Sequence, residues 1–552
     1  MGHHISAHSN SLAQIQILAS EKLIINRLIH WKYYQDRTIS KTDTIQISIN
    51  YESIHEPSER AAFSRWINQK LAADPDCRQL LPLDPNSNDV YSKVQDGLIL
   101  CKLVNLSLPR IIDERAINRT PKIMDYTQKI ENLSLALNAA RCHGANLGAI
   151  DLNEVYNGNQ TTILEFLWQI IKIGFIQDVN IHFHPEIADL KKTGESIDEV
   201  KELSPFEIII RYVNFHLAKS GLRHMVKGFD EDFRDCIVYA HLTNRIAPAD
   251  LKNKMVSSGT ITKEKFSDMR SSSIIENLKL LNADAFLIED DLKNGADRKE
   301  TSAKLHLATL AYLFRNYSGD LSSTGVQRGK PYSVSGECLD EYVCRNFLNS
   351  FDIQPFTNHL LVDCRNGLIY SQILDVLRPG ICNGLRFMTE FDGSRSHPQR
   401  VHNCTKIAKI AENYPLTIGS ELDPEKMARF DKLIVLGLIT EIMITYISKN
   451  QWNEKDAVDW VNDQFSRNNR RISIQNFADR IITEENLFAE ILDAAAPGCL
   501  DRSCLSNNRL QNAKYYISTA WKAGLPIYTL PEHFVENNAT FIAMAFANLI
   551  PY

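Results

Sequence analysis

Apolar positions along this chain recur at spacings of three and four, the period of a helix that buries one face. Four segments share one arrangement: QDGLILCKLVN from Gln95, RDCIVYAHLTN from Arg234, RNGLIYSQILD from Arg365 and the looser EENLFAEILD from Glu484. In each, an acidic or polar turn precedes the apolar residues, which predicts a helix start followed by a buried face. A second pattern follows every one of them: ENLSLALNAARCHG from Glu131, ENLKLLNADAF from Glu276, HNCTKIAKIAENYP from His402 and QNAKYYISTAWKAG from Gln511, in register at Asn132, Asn277, Asn403 and Asn512. A third, strongly apolar helix then closes each unit: TTILEFLWQIIKIGF, HLATLAYLFRNY, DKLIVLGLITEIMITYI and FIAMAFANLIPY.

The shared asparagines lie 145, 126 and 109 residues apart, too irregular for a solenoid and suited to tandem small domains. The expected fold class is therefore all-α, with four tandem helical units each carrying its own core. Composition shifts set the boundaries: 51–179, 203–318, 337–448 and 451–552, with 319–336 as a linker. The polar stretch 180–203 separates the first two units, whereas little more than SKNQWNE joins the last two, so these are expected to work as a pair. Residues 1–50 stand outside the repeat; their stretch LAQIQILASEKLIINRLIHW has helical spacing and fits either a helix packed on the first unit or a leader.

Length agrees, since 552 residues at about 150 per domain give three to four units. A balance of 61 Lys and Arg against 67 Asp and Glu, net charge -6, leaves no global basic field, so no nucleic-acid partner is expected. The eleven cysteines form no CxxC pair and several sit in apolar runs, which points to reduced thiols in a cytosolic compartment. The most apolar window, Leu433 to Ile447, is too short for a membrane span and contains Glu441; it reads as a core helix. No secretory signal is expected, although Gly2 and Ser6 match the N-myristoylation pattern.

Catalytic chemistry is missing from the pattern. There is no GxGxxG after a strand, no phosphate loop, no GxSxG and no HExxH, and the chain is expected not to be an enzyme. His182 and His184 have no third ligand nearby in sequence, and no metal or cofactor is expected. The loop DPNSNDVYSKVQ spaces Asp84, Asn86 and Asn88 like a calcium loop but fails as one. Pro85 intrudes, Asp89 stands where the turn needs Gly, and Gln95 replaces the bidentate Glu. An all-helical array of this kind points to a binding protein.

The first unit, with ERAAFSRWINQKLAADPDCRQLLPLDPNSNDVYSKVQDGLILCKLVNLSLPRIIDERAIN and LEFLWQIIKIGF, closely resembles the first calponin-homology domain of the fimbrin or plastin family. RYVNFHLAKSG from Arg211 resembles the opening of the second domain. RNFLNSFDIQPFTNHLLVDCRNGLIYSQIL from Arg345 resembles the third, and NAKYYISTAWKAGLPIYTLPEHFVE from Asn512 the fourth. The resemblance runs from about residue 51 to the C-terminus, in the family's domain order. It implies two actin-binding modules, each a tandem pair of calponin-homology domains, that bundle actin filaments in the cytoplasm. Fimbrins usually carry two EF-hands before the first domain; here residues 1–50 hold no EF-hand, so calcium-independent bundling is expected. Tyr212 and Phe347 stand where the family often has Trp, each keeping an aromatic core anchor.

By the same resemblance, the actin surface would comprise Phe63 to Leu71, Thr162 to Ile176, Val343 to Ser350 and Arg429 to Ile447. Trp66 and Trp168 are expected in the core. The candidate actin-binding residues are the polar neighbours Arg65, Lys70, Lys172, Arg345, Arg429 and Lys432, cations suited to actin's acidic surface. The basic run RNNRR, Arg467 to Arg471, is read as a solvated loop, or as a supporting contact. The partner expected is the actin filament, bound by a monomer. The alternatives left open are a single-site actin-decorating protein, a microtubule binder or a signalling adaptor.

Overall fold

The computed structural model describes residues 56–550 apart from 110, 120–123, 149, 182, 230, 294–302, 318, 320, 322–336, 390, 392–395, 415 and 485. The extension 1–50 with its helical stretch and acylation pattern, His182 and most of the linker 319–336 lie outside the described residues. Among those described, the regular elements are all helices. None is long and apolar enough to cross a membrane.

Each unit stands on four principal helices. The first has α1 (Glu56–Leu71), α2 (Leu98–Ser107), α3 (Tyr126–Cys142) and α4 (Gln160–Phe175). The second has α5 (Pro205–Lys219), α6 (Ile237–Ile246), α7 (Ser267–Leu280) and α8 (Ala303–Asn316). The third has α9 (Leu339–Asn349), α10 (Leu368–Leu377), α11 (Ser396–Asn413) and α12 (Lys432–Ile447). The fourth has α13 (Glu454–Arg467), α14 (Leu487–Ala495), α15 (Arg509–Lys522) and α16 (Ala539–Ala547). The closing helices α4, α8, α12 and α16 supply the middle of each core through residues such as Phe166, Leu310, Leu438 and Ile542, all fully buried. Trp66 and Trp168 lie in the core, as do Tyr212 and Phe347.

The polar turn before each second helix has a common backbone reason. Gly97, Cys236, Gly367 and Asn486 all take a left-handed conformation there, with φ of 76°, 68°, 79° and 54°. In three of the four, the preceding side chain accepts the first free helical amide: Asp96 from Leu98 at 3.0 Å, Asp235 from Ile237 at 2.9 Å and Asn366 from Leu368 at 2.9 Å.

The recurring asparagine latches this turn to a loop. Asn132 accepts from the Asn118 amide at 2.8 Å and donates to the carbonyls of Asn118 and Asp96. Asn403 repeats this with the Met388 amide and carbonyl and with Asn366 O, all within 2.9 Å. Asn512 does so with Ser506 and with Asn486. Asn277 holds only the Val256 amide and carbonyl, both at 2.9 Å. A Cβ at Gly97 would fall 2.7 Å from Asn132, and one at Gly367 3.0 Å from Asn403. In the second unit Cys236 carries a Cβ at this position, and the latch stands off the turn. Its thiol instead donates to Leu292 O at 3.1 Å.

Replacing Asn403 with alanine leaves two carbonyls and one amide without their partner. It is expected to destabilise the third unit by about 3 kcal/mol, and Asn277→Ala by less, since fewer groups are orphaned. Calorimetric melting of the two variants checks the order; equal losses would contradict it.

The units also pack on one another. In the first pair, Trp66 stacks on Phe286 at 6.1 Å, Phe175 meets Tyr312 edge-on at 5.9 Å, and Arg315 bonds Gly174 O. In the second pair, the Phe347 and Tyr528 rings lie 5.3 Å apart and Ser350 bonds the Tyr528 hydroxyl. The stretch 180–203 is no free tether: Ile187, Leu190 and Val200 are buried, and the segment carries the short helices Pro185–Leu190 and Ile197–Lys201.

Candidate functional site

The six candidate cations divide sharply by position. Arg65 and Lys70 on α1 face the second domain: Arg65 Nε donates to Ala285 O at 3.1 Å, and Lys70 Nζ lies 4.7 Å from the Tyr312 ring centre. Burial pulls both below their ordinary values, with Asp284 acting in the opposite direction on each. Lys172 on α4 reaches the third domain and lies 5.3 Å from the Phe356 ring. Burial lowers it as well, against Glu165 and Asp352.

Arg345 on α9 is wholly enclosed. It is 0 % exposed, paired with Glu337 through Nε at 2.7 Å and Nη2 at 3.1 Å, and its guanidinium lies near the Tyr342 and Phe183 rings. Burial alone would lower its pKa, but Glu337 and Asp178 hold it above the usual value. In this arrangement Arg345 offers nothing to a filament, because its helix is wedged between the first and fourth domains.

Arg429 and Lys432 remain at the surface. The Arg429 side chain is 69 % exposed and pairs with Glu425 at 2.9 Å. Lys432 pairs with the buried Glu341 at 2.5 Å, which raises its pKa against some desolvation. Between and beside them stand two apolar side chains, Phe430 at 40 % and Leu433 at 82 % exposure. Asp431 caps α12 by accepting from the Leu433 and Ile434 amides, so Leu433 sits in the first turn and projects off the helix end. Sequence reasoning assigned that apolar window to the core; the signal that could have separated Leu433 was the cap residue two positions earlier.

The first domain shows by contrast how unusual this corner is. There Asn159 caps α4 by accepting from Thr162, as Asp431 caps α12. Matching the caps pairs Phe430 with Gly158, Lys432 with Gln160 and Leu433 with Thr161. Gly158 has φ 78° and Phe430 φ 54°. A bulky residue pays steric strain in a conformation that glycine adopts freely, and such strain gathers at functional positions. The third domain thus displays an aromatic, an aliphatic and two cations where the first has small and polar groups.

The face of the first domain opposite α1 is also covered. Helix α3 lies along α15: Ser134 and Asn138 both donate to Trp521 O, at 3.0 and 2.9 Å, and the Asp113 amide donates to Ser518 Oγ at 2.8 Å. Arg115, braced by Asp113 at 2.7 Å, donates to Cys504 O and Gln511 O and stacks over Tyr515. Lys522 reaches Asn118 at 2.8 Å and Glu131 at 3.2 Å. Toward the third domain, Gln177 bonds Asn346 at 2.5 Å, Asn358 bonds Leu203 O at 3.0 Å, and Arg365 and Arg400 both reach Glu202. The two pairs therefore close on each other.

His143 lies at the centre of that closure, its ring 5.7 Å from Trp521 and 6.3 Å from Tyr342. Burial pulls it down to about 4, only partly offset by its bond to Ala139 O. The unfolded imidazole takes up a proton below its ordinary value of about 6.5, which the folded one resists. Stability from this group is therefore complete above that value and falls as pH drops toward 4. Between pH 7.5 and 5 the loss is expected to be about 2 kcal/mol. Melting of the intact chain across this range, compared with His143→Gln, checks it; parallel profiles would refute the assignment.

The remaining features of the sequence find local partners. Asp84 accepts from the Asn86 amide and Asp89 from the Asp84 amide, so that loop's carboxylates turn onto their own backbone. His184 pairs with Glu186 at 3.1 Å. In the run from Arg467 to Arg471, Arg470 pairs with Glu490 at 2.9 Å while Arg467 and Arg471 are exposed.

The calponin-homology (CH) domain family matches residues 57–175, 203–319 and 451–552, the first, second and fourth units. The third shares their left-handed turn at Gly367 and their latch at Asn403. Plastin-3 of Danio rerio is 33% identical over 521 residues, covering 89% of this chain and 80% of the relative. Plastin-3 of Homo sapiens is 31% identical over 519 residues, covering 90% and 80%, and Plastin-1 of Homo sapiens 30% over 531, covering 93% and 82%. In three dimensions the chain is similar to the actin-crosslinking core of Schizosaccharomyces pombe fimbrin, with a TM-score of 0.73 at 24% identity over 89% of this chain and 99% of that one. Four tandem helical domains, latched alike and sharing identity with plastins over nine-tenths of the chain, place this protein in the fimbrin and plastin family of calponin-homology proteins.

Proposed function

We infer that the chain binds actin filaments and cross-links them into bundles through its two tandem calponin-homology pairs. It acts by binding rather than turnover, as a monomer on the cytoplasmic actin cytoskeleton, with no nucleic-acid partner. Bundling needs two filament-binding modules on one chain, and four domains grouped as two pairs supply them. The observation that carries the reading is the exposed corner of the third domain, Arg429, Phe430, Lys432 and Leu433, in a chain that spans nearly all of a fimbrin core named for actin cross-linking. Cations recruit an acidic surface and set the association rate, while apolar anchors hold the complex.

Calcium-independent action is part of the proposal. The one loop with calcium-like spacing spends its carboxylates on its own amides. A second reading, a protein that decorates single filaments, is favoured by one observation: Arg65, Lys70 and Lys172 of the first pair face other domains.

Co-sedimentation of the whole chain with actin filaments separates the two. Sedimentation of filaments at low centrifugal force, equal in chelator and in micromolar calcium, is the expected result. Binding seen only at high force would leave the decorating reading.

A further inference from the structure

Two acid-free stretches meet on the third domain. The stretch 376–389, the end of α10 and the loop after it, contains Arg378 and Arg386 and no carboxylate before Glu390; the helix stretch 396–411 contains Arg400, His402, Lys406 and Lys409 and none before Glu412. The structure brings them side by side. The Met388 backbone is latched to Asn403 by two bonds of 2.8 Å, Lys406 Nζ bonds Arg386 O, and the same ammonium lies 5.5 Å from the Phe387 ring. His402, Lys406 and Lys409 share one side of α11, and Arg386, Lys409 and His402 are exposed.

Arg400, on the opposite side, is taken by Glu202 at 3.7 Å, and His397 by Glu425 at 2.9 Å. Arg378, Arg386, Lys406 and Lys409 have no ion pair to a described carboxylate. Leu385 and Met388, each 40 % exposed, stand among these cations.

We propose that this face of the third domain, Leu385, Arg386, Met388, His402, Lys406 and Lys409, docks on an anionic lipid bilayer. Cations with no ion pair among the described residues, set around exposed aliphatic side chains, are the composition of a surface that rests at the headgroup level. On a chain of net charge -6, a local cationic face also fixes which side turns toward a negative membrane. Lys406 lies about 180° around α11 from His397, whose partner Glu425 also holds Arg429, so lipid and filament would be met on different sides.

The test is sedimentation of the intact chain with vesicles of phosphatidylcholine alone and with 30% phosphatidylserine at about 0.1 M salt. Binding is expected only to the anionic vesicles and is lost at high salt. Arg386→Glu with Lys409→Glu, both exposed positions, should weaken it at least 25-fold, about fivefold for each charge removed and more for the reversal. Their melting temperature and actin sedimentation should be unchanged. Equal binding to neutral vesicles, no binding to either, or no effect of the double variant would overturn the proposal. Loss of actin sedimentation in the double variant with vesicle binding intact would make this face a filament contact instead.

Discussion

Phe430→Gly combined with Leu433→Ala, in the intact chain, is expected to weaken actin-filament binding about 30-fold while changing stability by only about 1 kcal/mol. The two effects have separate causes. Phe430 holds φ 54° with its ring 40 % exposed, so glycine relieves strain of about 1 kcal/mol, which offsets part of the roughly 1–2 kcal/mol lost with the buried portion of the ring. Leu433, 82 % exposed in the first turn of α12, gives the fold almost nothing. Truncating an apolar anchor at the middle of a contact typically removes 2 kcal/mol or more of binding energy. Arg429→Ala should act differently, slowing association and flattening its salt dependence, because an exposed cation contributes chiefly to encounter. High-speed sedimentation gives the affinity and thermal melting the stability. Unchanged binding by the double variant would place the filament contact elsewhere; a large fall in melting temperature would show that Phe430 is kept chiefly for packing.

The order of the helices was legible in the chain because each unit repeats the same local solutions. A left-handed turn must precede each second helix, a buried asparagine must satisfy the loop that crosses it, and an apolar helix must close the core. Those requirements leave Gly97, Asn132 and their counterparts in plain view at every repeat. Trp66 and Trp168 were equally readable, as large side chains at helical spacing.

The candidate site was legible only in part, since exposure depends on contacts hundreds of residues away. Arg345 has the sequence neighbourhood of a surface cation and is buried, paired with Glu337 and braced by groups from the first domain. Arg65 and Lys70 stand on a first helix whose outward side is met by Asp284, Ala285 and Tyr312 of the second domain. Leu433 fails in the other sense. Its apolar neighbours Val435 and Leu438 are buried, and only the cap at Asp431 marks where the helix leaves the core.

Arg115→Ala with Lys522→Ala is expected to loosen the two pairs from each other and to lower the protein concentration needed for half-maximal bundling at least tenfold. Arg115 carries two bonds to carbonyls of the fourth domain and a ring contact with Tyr515, and its loss leaves Asp113 without its ion-pair partner. Lys522 adds a bond to Asn118 and a pair with Glu131. Together these contacts hold several kcal/mol, enough to keep an open form at the level of a few per cent or less. When only an open form can use both pairs, the apparent affinity is reduced by its fractional population, and destabilising the closed form restores it. Lys172, occupied by a contact between the pairs, would then be released toward a filament. Small-angle scattering should record a larger radius of gyration for the double variant, and low-speed sedimentation the gain in bundling. Expansion without that gain would mean that closure does not restrain the filament surfaces and that the second pair already engages in the closed form.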